Sequence, residues 1–171
     1  AGRKNYDIII VGAGTAGLTA GIFCRMRKLS TLTIDLKEPG GQMTSIYPSK
    51  PEMDYPSYDL VLAVELADSI IKQTKKLGID FILGERVEEI LTVSNGFDVV
   101  TSDVRYKAKA VVLAMGIGVF NQRELGVIGE REFTGRGVIH GIPKINTAKD
   151  KRVLCVGGGN SSLEVALAVK D

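Results

Sequence analysis

Two glycine clusters stand where an apolar strand should end and a helix should begin. Gly12-Ala13-Gly14-Thr15-Ala16-Gly17 follows Asp7-Ile8-Ile9-Ile10-Val11. Gly157-Gly158-Gly159-Asn160-Ser161-Ser162 follows Arg152-Val153-Leu154-Cys155-Val156. The chemistry of such a loop is phosphate binding. Gly12 permits the tight turn, Gly14 lets the backbone approach a pyrophosphate, and Gly17 lets the helix pack close to the strand. The first helical turn, from Thr15 and Ala16 onward, then offers unpaired N–H groups and a partial positive charge. Asp35 ends the next strand, about 20 residues on, where a carboxylate accepts hydrogen bonds from ribose hydroxyls and repels a 2′-phosphate. Leu36 and Lys37 follow it and belong to the same corner. The bland alternative is a tight strand-to-helix turn that binds nothing.

The second loop offers Gly157, Gly159, Asn160 and Ser161, with Ser162 where a third small residue would sit. Two loops imply two dinucleotides, and two dinucleotides imply electron transfer between them. A βαβ unit needs roughly 30 residues, yet this loop begins shortly before Asp171. The chain is therefore expected to be part of a longer protein. The charges that choose NADH or NADPH would lie about 20 residues beyond the loop.

The elements that must position these groups alternate. Tyr6 to Val11 reads as a buried strand, Ala16 to Lys28 as a helix with Leu18, Ile22 and Met26 on one face, and Thr31 to Leu36 as a β-branched strand. Pro39 to Tyr58 is irregular. Asp59 is positioned to cap a helix whose inner face is Leu62, Leu66, Ile70 and Leu77, ended by Gly78. Ile79 to Leu83 is a third core strand. Arg86 to Val93 and Phe97 to Thr101 flank Ser94-Asn95-Gly96, a hairpin signal. Val104 to Ala108 adds a further strand, and Ala110 to Ala114 returns to the parallel sheet. The fold class is α/β: a Rossmann-type, doubly wound, three-layer domain with a small antiparallel β-meander, plus the start of a second Rossmann-type domain. The expected boundaries are 1–116, a linker and lead-in at 117–150, and the incomplete second domain at 151–171.

Composition narrows the class. The chain is 44% hydrophobic and 25% charged, with a net charge of +2, which gives no basis for nucleic-acid or anionic-membrane binding. Cys24 and Cys155 are far apart in apolar runs and read as buried, reduced thiols, which fits a cytoplasmic protein. Arg3, Lys4 and the apolar stretch after them resemble a signal peptide, but Asp7 and the glycines interrupt it. No apolar run reaches the roughly 20 residues of a membrane helix. No metal-ligand cluster is evident.

Lys37-Glu38-Pro39-Gly40-Gly41-Gln42-Met43 resembles the Gly-Gly-Gln segment of thioredoxin-reductase-like flavoproteins. The resemblance implies FAD, with Gly41 and Gln42 along its pyrophosphate and ribityl chain. Val111-Val112-Leu113-Ala114-Met115-Gly116 resembles the second FAD motif of that superfamily, with Met115 for its Thr; Ala114 and Gly116 are carried over. Glu124-Leu125-Gly126-Val127-Ile128-Gly129-Glu130 resembles Leu-Gly-Val-Pro-Gly-Glu, with Ile128 for Pro. The resemblance runs from Tyr6 to the end. It implies NAD(P)H at the second loop, a homodimer, and a C-terminal return segment that this chain does not contain.

Thioredoxin reductases proper carry Cys-x-x-Cys where this chain has Gly141 and Lys144. A dithiol relay needs a thiolate, and no residue there supplies one. Gln42-Met43-Thr44-Ser45-Ile46-Tyr47-Pro48-Ser49-Lys50, with Asp54, resembles the cysteine-free branch, the thioredoxin-reductase-like ferredoxin–NADP(+) reductases. That branch implies a redox-protein acceptor such as ferredoxin. Glu130 to Val138 and Asn160 to Glu164 look more like thioredoxin reductase, so the chain reads as a cysteine-less intermediate. Tyr47 either stacks on the isoalloxazine or simply packs. Asp54 either caps its loop or reaches ribityl hydroxyls. Val87 presents backbone to adenine or is ordinary strand core. His140, with no partner evident, reads as structural. No side chain is assigned a catalytic role. Three readings remain: a flavoprotein oxidoreductase, a non-catalytic nucleotide-binding module, or a remnant that binds nothing.

Overall fold

The computed structural model describes residues 5–118, 124–140, 148 and 150–170. The chain divides into two units, Ala1–Gly118 and Val119–Asp171. The first contains β1 (Asn5–Val11), α1 (Thr15–Met26), β2 (Thr31–Asp35), α2 (Gln42–Ser45), β3 (Pro51–Glu52), β4 (Val61–Leu62), α3 (Ala63–Lys76), β5 (Asp80–Leu83), β6 (Val87–Val93), β7 (Gly96–Thr101) and β8 (Arg105–Leu113). A six-stranded sheet runs in the order β5-β2-β1-β8-β7-β6, and β3 and β4 form a separate pair. The pairs β5–β2, β2–β1 and β1–β8 are parallel, while β8–β7 and β7–β6 are antiparallel.

Two apolar layers cover the sheet. Leu18 and Ile22 of α1 join Val61, Leu66 and Ile70 in one cluster. Ile9, Leu32 and Ile34 join Val99, Tyr106 and Ala108 in the other, so residues of the meander share a core with the parallel strands. This is the expected three-layer arrangement. α1 lies close because it presents glycine: a Cβ at Gly21 would lie 2.9 Å from Ile79 Cδ1 and 3.5 Å from Ile10 Cδ1. Met26, expected on the inner face with Leu18 and Ile22, is instead 65% exposed. An α-helix advances 100° per residue, so successive i+4 positions drift around the axis and away from the sheet.

Three further expectations are corrected. The two strands expected over 104–114 are one, β8, with alternating exposed Arg105, Lys107 and Lys109 and buried Tyr106 and Ala108. The parallel ladder to β1 runs through Lys109 from Lys107 to Leu113, and the exposed Lys109 ammonium meets Asp7 Oδ1 at 2.7 Å on the neighbouring strand. Asp59 does not cap α3. The helix starts at Ala63, and carbonyls of the preceding loop take its first donors: Ala63 N–H donates to Lys50 O at 2.9 Å and Val64 N–H to Pro48 O at 3.1 Å. The expected irregular stretch 39–58 contains α2 and β3.

The hairpin forms with a two-residue turn, Ser94-Asn95, and Val93 pairs with Gly96. Gly96 has a φ of 129°. A side chain there would strike the Ala108 carbonyl oxygen, so the glycine serves the β7–β8 approach as well as the turn.

The second unit contains α4 (Glu130–Phe133) and α5 (Asn160–Lys170). The strand expected before the second glycine loop is not formed. Val153, Leu154 and Val156 are 47%, 87% and 57% exposed, and no strand pairs with them among the described residues. Without a neighbouring strand, backbone donors and acceptors gain nothing by extending into a ladder. Gly141, Lys144 and part of the expected linker lie outside the described residues. No helix among the described residues is long and apolar enough to cross a membrane.

Candidate functional site

The C-terminal ends of β1, β2 and β8 meet at one edge of the sheet, and the first glycine loop crosses it. Gly12 N–H donates to Ile34 O at 2.9 Å, and Ala114 N–H donates to Val11 O at 2.8 Å. Gly12 has a φ of 108°, and a side chain on it would strike the Ala114 carbonyl. A side chain at Gly17 would strike the Gly12 carbonyl oxygen. The helix follows at once. Its first internal bond runs from Leu18 N–H to Gly14 O at 2.9 Å, and no side chain caps it. The N–H groups of Thr15, Ala16 and Gly17 therefore lie outside the helical ladder, at the positive end of the helix dipole.

A second glycine pair closes over the first. Gly40 N–H donates to Ala13 O at 2.8 Å. Gly41 has a φ of 61°, and a Cβ on it would lie 2.8 Å from Gly14 Cα. Two Cα carbons thus face each other with no side chain between, the condition for a phosphate to approach backbone closely. Gln42 follows, and its Nε2 lies 3.5 Å from where a Cβ on Gly116 would stand. Gly40 and Ala13 join the edge beyond the residues expected there. The Gly40-Gly41 doublet is the sequence signal for the first, and the residue type of Ala13 carries none for the second.

Asp35 is held by the loop it faces. Its Oδ2 accepts Ala13 N–H at 2.6 Å and its Oδ1 accepts Lys37 N–H at 2.9 Å. Each carboxylate oxygen keeps a further lone pair for a ribose hydroxyl. Leu36 and Lys37 are exposed beside it. Gly84 N–H donates to Asp35 O at 3.0 Å, which brings the lead-in to β6 to this corner. Val87, the first residue of β6, is half-buried against the cluster that holds Leu32 and Ile34.

Tyr47 joins the edge through backbone: its N–H donates to Gln42 O at 3.1 Å. The Lys50 ammonium lies 5.3 Å from the centre of the Tyr47 ring. Asp54 is exposed, and no hydrogen bond or ion pair joins it to the glycine edge among the described residues. The structure thus gathers Gly12, Gly14, Thr15, Ala16, Gly17, Asp35, Leu36, Lys37, Gly41, Gln42, Ala114 and Gly116, with Tyr47 and Val87 at the margins.

In the second unit Gly157 has a φ of 136°, and a side chain there would strike Ser162 Oγ. Ser162 thus fills the place of a third glycine. Gly159, Asn160 and Ser161 are exposed at the start of α5. Glu130 is buried. Its Oε1 accepts Leu125 N–H at 3.0 Å and its Oε2 accepts Gly126 N–H at 2.8 Å. The Leu125 N–H above all, with those of Gly126 and Val127, holds its carboxyl below the ordinary carboxylate range against the burial that opposes this. His140 does have a partner: its Nε2 lies 3.8 Å from Glu130 Oε1. Among the described residues no group of His, Cys, Asp and Glu could hold a metal.

Parallel strands β5, β2, β1 and β8 with a glycine-lined strand-to-helix edge and a carboxylate at the end of β2 define an α/β domain of Rossmann, dinucleotide-binding type. Residues 6–171 match the model of the pyridine nucleotide-disulphide oxidoreductase family, and the chain belongs to that family. It is 43% identical over 167 residues to a ferredoxin–NADP reductase of Thermus thermophilus, covering 96% of this chain and 50% of that protein. It is 40% identical to ferredoxin–NADP reductase 2 of Sulfolobus acidocaldarius, with the same coverage. Among solved structures, a thioredoxin reductase from Streptococcus pyogenes superposes with a TM-score of 0.62 at 33% identity, covering 80% of this chain and 42% of that one. The thioredoxin reductase of T. acidophilum gives 0.66 at 27% identity, covering 79% and 42%. The chain spans about half the length of the curated relatives it matches.

Proposed function

We propose that the chain is the FAD-binding part, with the opening of the NAD(P)H-binding part, of an oxidoreductase that passes electrons from NAD(P)H through FAD to a redox protein such as ferredoxin. The carrying observation is the convergence of Gly12, Gly14, Gly41, Gly116 and Asp35 on one sheet edge. The relatives named ferredoxin–NADP reductase support the same reading. On this reading residues 1–116 hold FAD, 117–150 link, and 151–171 begin the nicotinamide domain.

On this reading the groups of that edge divide the parts of FAD among them. Gly12, Gly14 and Gly41 admit the pyrophosphate against backbone. Thr15, Ala16 and Gly17 direct N–H groups at it. Asp35, beside Leu36 and Lys37, accepts the adenosine ribose hydroxyls, and Val87 borders the adenine. Gln42, with Ala114 and Gly116, orients the ribityl chain, Tyr47 sets the position of the isoalloxazine, and Asp54 serves the ribityl hydroxyls. Gly157, Gly159, Asn160 and Ser161 take the nicotinamide pyrophosphate. FAD, when bound, supplies a two-electron store that can be emptied one electron at a time. Gly141 and Lys144 leave no dithiol to intervene, so the acceptor takes electrons from the flavin directly. The resemblance further supports a homodimer in the cytoplasm.

The test is FAD titration followed by anaerobic addition of NADPH or NADH to the whole protein that contains this chain. FAD should bind, its visible absorbance should bleach, and ferredoxin should restore it. Asp35→Ala, which removes a charged acceptor, should weaken FAD binding by about tenfold or more. A protein that binds FAD but is bleached by neither nucleotide would sink the oxidoreductase reading.

A further inference from the structure

The loop from α2 to β3 connects the glycine edge to the start of α3, and one side chain on it makes two contacts. The Lys50 ammonium stands 5.3 Å from the Tyr47 ring centre and 3.9 Å from Glu52 Oε1. The Glu52 side chain is only 13% exposed, while that of Lys50 is 47% exposed. The carboxylate is therefore the fixed end, and the lysine spans from it to the ring. Backbone bonds hold the same unit. Lys50 N–H donates to Tyr47 O at 3.1 Å, Tyr47 N–H to Gln42 O at 3.1 Å, and Ala63 N–H to Lys50 O at 2.9 Å. β3 pairs with β4, which places Glu52 opposite Val61. A cation is drawn to the face of an aromatic ring by the ring quadrupole, and a carboxylate that tethers the cation limits where the ring face can turn.

We propose that Lys50 is a positioning residue for the flavin site. Its ammonium, tethered by Glu52, fixes the plane of the Tyr47 ring, and the side of the ring away from Lys50 meets the isoalloxazine. The inference rests on the FAD reading above and deepens it. Lys50 touches no flavin atom and acts only through Tyr47. Arginine would preserve the effect, because guanidinium is cationic and stacks on aromatic faces. Methionine would keep an apolar stem and lose the charge.

Two measurements test this. In the ligand-free protein, the Tyr47 ring current should move the Lys50 ε-methylene resonance upfield, and Tyr47→Leu should abolish the shift. In the FAD-loaded protein, Lys50→Met should change the visible circular dichroism of the flavin in the same direction as Tyr47→Leu. Lys50→Arg should restore the original band. The FAD dissociation constant of Lys50→Met should stay within about threefold, because the glycine edge holds the phosphates. An unshifted ε-methylene, or a Lys50→Met band identical to that of the unaltered protein, overturns the inference alone. So does a tenfold loss of FAD affinity, which would make Lys50 a direct ligand. A protein that binds no FAD overturns the proposed function and this inference together.

Discussion

Single residues at the sheet edge carry two kinds of duty, and charge separates them. Asp35 faces the glycine loop and has capacity left for a ligand. Asp7, at the far end of β1, is consumed by structure. Its carboxylate accepts from Lys109 Nζ at 2.7 Å, Ser30 Oγ at 2.6 Å and Ser30 N–H at 2.9 Å. The Lys109 contact above all, then the Ser30 bonds, pulls its pKa well below the ordinary carboxylate range. A depressed carboxylate contributes stability above its unfolded pKa, about 3.9, and loses it as pH falls through the folded value. Asp7→Asn should therefore lower the thermal midpoint at neutral pH, and the gap to the unaltered protein should close in acid. Midpoints measured across that range check it; a gap that persists at low pH would contradict it. Thr33 shows the opposite case. Its hydroxyl is fully buried in β2 and finds no hydrogen-bond partner among the described residues. Thr33→Val should stabilise the fold by about 1 kcal/mol in urea denaturation.

At the level of elements, glycines set how close neighbours come. Gly17 and Gly21 let α1 lie on β1, and Gly96 lets the hairpin meet β8. Gly96→Ala adds a methyl against the Ala108 carbonyl at a φ that alanine resists. It should cost roughly 1–3 kcal/mol, measured by denaturant unfolding, while Gly84→Ala should cost less because its Cβ would meet nothing within 4 Å. The start of α3 shows where sequence signals fail. Asp59 is a good capping residue, yet the helix begins four positions later, because Lys50 and Pro48 carbonyls already take its first N–H groups. Those carbonyls come from a loop that reads as irregular, and a local rule cannot see them.

For the whole molecule, the proposed electron path meets two cysteines in this chain. Cys24 sits in α1, where burial pushes its thiol pKa up, which makes it a poor nucleophile. Cys155 is half-buried in the stretch before the second glycine loop. If electrons leave the flavin without a thiol, the Cys24→Ala and Cys155→Ala double variant should keep NAD(P)H-dependent ferredoxin reduction within about twofold. A loss of a hundredfold in an FAD-loaded, folded variant would restore a thiol relay. The two units differ in how far they are built. The first buries two apolar clusters around a six-stranded sheet. The second leaves Leu154, Leu163 and Leu167 at 87%, 61% and 66% exposed.

The sequence by itself determined the parallel strands β1, β2 and β5 with helices α1 and α3, the hairpin, the first glycine loop, and Gly141 and Lys144 in place of a cysteine pair. These follow from local periodicity, glycine spacing and residue identity, which need no partner to be read. Tertiary structure decided the rest. It fused β8 into one strand, because its backbone pairs with β1 from Lys107 to Leu113. It gave Glu130 to His140 and bound Asp35 to the Ala13 N–H. It also left Val153 to Val156 without a ladder. Each of these outcomes depends on which groups meet at distances of a few ångströms after the chain has folded back on itself, and spacing along the chain does not contain that information.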